Sequence, residues 1–149
     1  MARKRRSECE FFSDKLRLRL NLSLRADPGS VSKSVERIMQ IVEDMRCAAG
    51  KEFEIEAALH ESLVNAVVHG AKGNPKKRVK VCVLCDEERG TLIIVRDPGK
   101  GFEPASVPSP LVGENIFSSH GRGIYLINQL MDEVTFKKGG TEIHMRKRP

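Results

Sequence analysis

Glu61 and Asn65 are four residues apart in Glu61-Ser62-Leu63-Val64-Asn65. That spacing places two side chains on one face of a helix. A carboxylate can orient or deprotonate an attacking hydroxyl. An amide offers a neutral carbonyl oxygen suited to a hard cation such as Mg²⁺. A second group follows in Asp97-Pro98-Gly99-Lys100-Gly101. Its two glycines let the backbone turn tightly and approach a ligand closely. Its aspartate could accept from an amino group such as the adenine 6-amine. A third group is Gly121-Arg122-Gly123. At a helix start it would present free N–H groups to phosphate, with Arg122 adding charge. Alone, each signal is weak. The first also reads as an exposed helix edge, the second as a plain turn, the third as a helix cap.

The elements around these groups strengthen the reading. Leucines 16, 18, 20, 22 and 24 alternate with polar residues, the pattern of a half-buried strand. Asp27-Pro28 supplies an N-cap and a proline for the first turn of a helix. Val31, Val35, Ile38, Val42 and Met45 follow at helical spacing, up to Gly50. A second helix is expected from about Lys51 to Gly70, with Ile55, Leu59, Leu63, Ala66 and Val67 on its apolar side. Gly70, Gly73, Asn74 and Pro75 stop it. Two strands, about residues 78–85 and 91–96, read as a hairpin turning at residues 86–90. The second, Leu92-Ile93-Ile94-Val95, is continuously apolar, as in a central buried strand. From Asp97 to His120 periodicity fails, with prolines at 98, 104, 108 and 110. A loop this long is usually functional or disordered. A short helix over residues 121–131 and a closing hairpin around Gly139-Gly140 complete the chain. The expected fold is an α+β two-layer sandwich, an antiparallel or mixed sheet with about three helices on one face. The Glu61 group thus falls on a helix, the Asp97 group on a strand end and the Gly121 group on a helix start.

Composition narrows the class. With 149 residues, 40% hydrophobic and 31% charged, the chain fits one soluble domain. It reads as a basic tail over residues 1–14 and a domain over 15–149. No apolar run approaches the ~20 residues of a membrane span. No apolar stretch follows the basic start, so a secretory signal is not expected and a cytoplasmic location is. The net charge of +6 sits largely at the ends, in Arg3-Lys4-Arg5-Arg6 and Arg146-Lys147-Arg148. Such runs are usually solvated. One tyrosine and no tryptophan leave few stacking platforms for nucleic acid. Cys82 and Cys85 are three apart on a strand, so they point to opposite faces and cannot share a metal. With Cys9 and Cys47 they read as buried, reduced thiols. There is no G-x-x-x-x-G-K-[ST], no G-x-S-x-G and no H-E-x-x-H.

In this order the three groups resemble the ATPase superfamily that includes gyrase, histidine kinases and MutL. E-S-L-V-N-A-V-V-H-G resembles its N box, V-R-D-P-G-K-G-F its first glycine box and G-R-G-I-Y-L-I its second. Within it the chain is most similar to the bacterial anti-sigma-factor serine/threonine kinases, from about Leu16 to Arg148. The resemblance implies a Bergerat-type sandwich, with residues 103–120 as the ATP lid. It implies a homodimer that binds a sigma factor and moves the γ-phosphoryl of ATP to a Ser or Thr of a small anti-anti-sigma protein. Carried over, Glu61 is the general base and Asn65 the Mg²⁺ ligand. Asp97 reads adenine, and Gly99 and Gly101 shape the pocket. Arg122 and the Gly121 and Gly123 backbone contact phosphate. Thr141 stands near adenine, and His69 is structural. Two alternatives stay open: a stand-alone histidine-kinase-like catalytic domain, and a non-catalytic module that sequesters a partner when ATP is bound.

Overall fold

The computed structural model describes residues 15–100 and 119–149, the latter with side chains from Gly123 onward. The basic tail (1–14), Cys9, Gly101 and the lid loop through residue 118 lie outside the described residues, as do the side chains of His120, Gly121 and Arg122. The alternating leucines form β1 (Leu16–Arg25). Leu18, Leu20, Leu22 and Leu24 pack on the main core. A bulge between Leu16 and Leu18 turns Leu16 onto the opposite face.

Helix α1 (Pro28–Asp44) starts where Asp27 caps it. The Asp27 carboxylate accepts from the Ser30 N–H and hydroxyl, both at 2.8 Å. Those two bonds hold its carboxyl below the usual range. Val31, Val35, Ile38 and Val42 are buried as their spacing predicts. Met45 is not, because the helix has already ended there and the chain leaves through Arg46 at φ 54°. Helix α2 (Glu52–Asn65) buries Ile55, Leu59 and Leu63 and lies between α1 and α3 (Ser119–Leu130).

The remaining strands are β2 (Arg78–Asp86), β3 (Gly90–Arg96), β4 (Glu133–Lys137) and β5 (Glu142–Lys147). Their order is β1-β2-β3-β5-β4, and every neighbouring pair is antiparallel. The α+β sandwich is as expected, and the sheet is antiparallel rather than mixed. The connections explain why. Two helices between β1 and β2 reverse the chain twice, so β2 returns antiparallel. The single helix α3 leaves β4 running parallel to β3, but β5 pairs between them. β3 is therefore central and buried on both faces, with Ile93 and Val95 toward the helices and Leu92 and Ile94 away. On the away face, His144 Nε2 lies 2.7 Å from the buried Glu142 carboxylate, which also accepts from Arg96 Nε at 3.1 Å.

The β2–β3 turn is held by Asp86, whose Oδ1 accepts from the Glu88 and Arg89 N–H groups at 2.8 and 3.0 Å. It closes on Gly90 at φ 88°, where an added Cβ would lie 2.0 Å from the Lys147 carbonyl oxygen. Neither the dihedral nor the space admits a side chain. Gly90→Ala is expected to destabilise the protein by about 2 kcal/mol or more. Urea unfolding measures this, and an unchanged midpoint would contradict the close β3–β5 approach.

Candidate functional site

After Asn65 the helix widens into a π turn (Ala66–Gly70), in which the Ala71 N–H bonds Ala66 O at 2.8 Å. Such turns recur at functional sites. Here the extra residue brings Gly70 against the end of β3. A Cβ on Gly70 would lie 2.4 Å from Asp97 Cγ, and one on Gly99 would lie 2.5 Å from Gly70 O. Two glycines far apart in sequence thus let two backbones meet. Asp97 is fixed from both sides. Its N–H donates to Thr141 O at 2.9 Å, and its Oδ1 accepts from the Gly99 N–H at 2.8 Å.

These residues border a cavity of about 390 Å³. Its apolar wall comes from Ala66, Val95, Ile124, Phe136 and Ile143. Asn65, Asp97, Gly99 and Thr141 supply the predicted part of the lining, and Lys72, Lys77 and Lys100 stand around it. The Thr141 hydroxyl donates to Lys138 O at 2.9 Å within the β4–β5 turn. An apolar slot with a few convergent polar groups is the usual form of a small-molecule site.

Glu61 is not on that lining, but it is tied to it through α3. A Cβ on Gly123 would lie 3.0 Å from Asn65 Nδ2 and 3.2 Å from Glu61 Oε2. Glycine therefore lets α3 approach the side chains of α2. Because α3 begins at Ser119 rather than at residue 121, Gly121 and Arg122 fall within its first turn, where N–H groups lack helical partners. Sequence reasoning missed Gly70, Lys72, Lys77 and Lys100. Gly70 was taken only as a helix stop, and the lysines lie in turns with no periodic signal. His69, expected to be structural, is on the cavity wall.

Burial raises the Asp97 carboxyl above its ordinary value, and the Gly99 N–H only partly offsets this. A raised folded value means the native state holds more protons than the unfolded chain. The associated stability is present below the ordinary pKa, about 3.9, and is lost as pH rises through the raised value. Asp97→Asn carries no charge at any pH. Its melting temperature is expected to gain on the parent's as pH rises from about 4 to 7, modestly because the site is half open. Parallel pH profiles of the two proteins would remove burial as the cause.

Among the described residues no helix is long and apolar enough to cross a membrane, and no three His, Cys, Asp or Glu side chains gather into a metal cluster. Cys82 and Cys85 face opposite sides of β2, as expected.

Comparison with known proteins places this geometry in context. Over 99 residues the chain is 33% identical to an anti-sigma F factor of Bacillus cytotoxicus, covering 63% of this chain and 67% of that protein. It is 35% identical over 98 residues to the serine-protein kinase RsbW of Staphylococcus epidermidis, covering 60% of this chain and 61% of that protein. An anti-sigma F factor of Bacillus thuringiensis is 32% identical over 99 residues, with 63% and 67% covered. The match thus spans less than two thirds of the RsbW length. Residues 24–147 match the family described as histidine kinase-like ATPase domain, which implies ATP binding. With nearly the whole described fold inside that match, the chain belongs to the histidine kinase-like ATPase domain family.

Proposed function

We propose that this chain is an ATP-dependent protein serine/threonine kinase that acts as an anti-sigma factor. It holds a sigma factor and phosphorylates a Ser or Thr of a small anti-anti-sigma protein. One observation carries the reading most directly. Asn65 and Glu61 meet the glycine of α3, while Asn65 also shares a cavity with Asp97 and Gly99. Two side chains of α2, the end of β3 and a glycine of α3 are thus gathered from three separate segments, which supports a metal ligand, a base and an adenine reader in one site.

The residues fit ATP·Mg²⁺. Close backbone approach at Gly70, Gly99 and Gly123 leaves the apolar slot open, and Asp97 offers a carboxylate inside it. Asp97 accepts from the adenine 6-amine, with Thr141 beside it. Gly99 and Gly101 shape that end. Asn65 would hold Mg²⁺ through its amide oxygen, and the ion would supply charge neutralisation at the phosphates. The Gly121 and Gly123 backbone, Arg122 and the nearby lysines hold the triphosphate. The Glu61 carboxylate takes the proton of the acceptor hydroxyl as its oxygen attacks the γ-phosphorus, and the bond from that phosphorus to the bridging oxygen breaks so that ADP leaves. The relatives' names, anti-sigma F factor and serine-protein kinase, support the same reading. The 15–149 domain acts in the cytoplasm as a homodimer, with residues 1–14 as an appended basic tail.

The test is incubation with labelled ATP, Mg²⁺ and a small anti-anti-sigma protein, followed by acid. Acid-stable phosphate on Ser or Thr is the expected result. Acid-labile phosphate would instead mark a histidine-kinase-like catalytic domain. ATP-dependent partner capture with no transfer would mark a sequestering module.

A further inference from the structure

Cys47 and Cys85, 38 residues apart in sequence, come together at the end of the sheet away from the cavity that Asn65 and Asp97 line. Cys47 follows the left-handed Arg46, and its N–H reaches back to Val42 O at 3.0 Å. Cys85 stands on β2 opposite Thr91 of β3. Cys85 Sγ lies 3.8 Å from the Cys47 carbonyl oxygen, and Thr91 Oγ1 lies 3.4 Å from the same oxygen. Both cysteines line a second cavity of about 310 Å³, which Arg17 and Arg46 also border.

The two thiols differ in kind. Cys47 is half-buried, whereas Cys85 is buried. The neighbouring Cys85 thiol lowers the Cys47 pKa, with the Arg17 charge helping and burial opposing. The same contact, together with burial, pushes Cys85 up. A more acidic, reachable thiol beside a buried, less acidic one is the arrangement of oxidation-sensitive cysteines.

We propose that Cys47 and Cys85 form a peroxide-responsive pair, with Cys47 oxidised first and Cys85 resolving it into an intramolecular disulfide. The Cys47 sulfur attacks one oxygen of hydrogen peroxide. An S–O bond forms, the O–O bond breaks, and hydroxide leaves and takes up a proton as water. The Cys85 sulfur then attacks the Cys47 sulfur. The S–S bond forms, the S–O bond breaks, and the Cys85 proton leaves with the hydroxide as a second water. Two thiols are thereby oxidised by two electrons and one peroxide is reduced; a dithiol reductant reverses the change. The crosslink ties the α1–α2 corner to β2, remote from Asn65 and Asp97.

The experiment treats the reduced full chain with hydrogen peroxide near stoichiometry. Thiol titration is expected to lose two of the four cysteines. Peptide mapping is expected to show a Cys47–Cys85 crosslink. The melting temperature should rise and return on dithiothreitol, with ATP affinity unchanged. In Cys85→Ser, dimedone should trap a sulfenic acid at Cys47. Cys47→Ser should lose no thiol at the same dose, and Cys47→Ala repeats the test should serine disturb the fold. Oxidation first at Cys9 or Cys82, a crosslink between two chains, or an unreactive Cys47 in the folded protein would each overturn the proposal.

Discussion

Replacing Asn65 by alanine is expected to remove ATP·Mg²⁺ binding while leaving the protein folded. The loss should exceed the roughly 10–100-fold in metal affinity that even an outer-shell partner typically contributes. Asn65 is the last residue of α2 before the π turn and is only half-buried. Alanine is a better helix former there, so the helix has no reason to unravel. What disappears is the amide oxygen. Glu61 on the same helix face and Gly123 of α3 lie near it. Neither is an amide that could take its place. Calorimetric titration with ATP, with and without Mg²⁺, separates metal-dependent affinity from nucleotide affinity. Circular dichroism checks the fold. Unchanged affinity and turnover would sink the assignment of this site.

The second large effect falls on rate rather than binding. Glu61→Ala is expected to keep ATP affinity near the parent's and to lower phosphoryl transfer by ~10²–10⁴-fold, the usual contribution of a general base. Glu61 does not line the nucleotide cavity, so binding has little to lose. It lies beside Asn65, against Gly123 of α3. Glu61→Gln keeps the shape without the basicity and should fall equally. Single-turnover kinetics with the phosphoacceptor reads the difference directly. Full transfer by either variant would refute the base role and favour a nucleotide-dependent binding module.

Periodicity made most of the fold legible. The leucine alternation of β1, the buried stripe of α1 and the apolar run of β3 each state a surface that must be covered. The two hairpins were legible as antiparallel pairs, but the direction of β1 against β2 and of β3 against β5 was not, because it depends on how many helices lie between strands and on where β5 inserts. The end of α1 was misplaced for a local reason. Met45 continues the helical spacing, but backbone geometry at Arg46 ends the helix first. The site divides in the same way. Glu61, Asn65, Asp97, Gly99 and Gly123 could be named because each residue type has a chemical reason to occur there. Gly70 could not. Its role depends on the π turn, which adds one residue to a helix whose sequence reads as ordinary. The lysines around the cavity are likewise gathered by the tertiary fold alone.

The insertion of β5 between β3 and β4 has a consequence for synthesis. β3 is apolar on both faces, and while the chain emerges only its β2 side can be satisfied. Its other edge stays open until the loop, α3, β4 and finally β5 have been made. A nascent chain carrying such an edge is prone to pair with a neighbour. The nucleotide cavity, whose walls include β5, forms only when that edge closes. On the proposed assignment of this cavity, ATP captures only chains that have completed the sheet, which makes the ligand a late selector among folding intermediates.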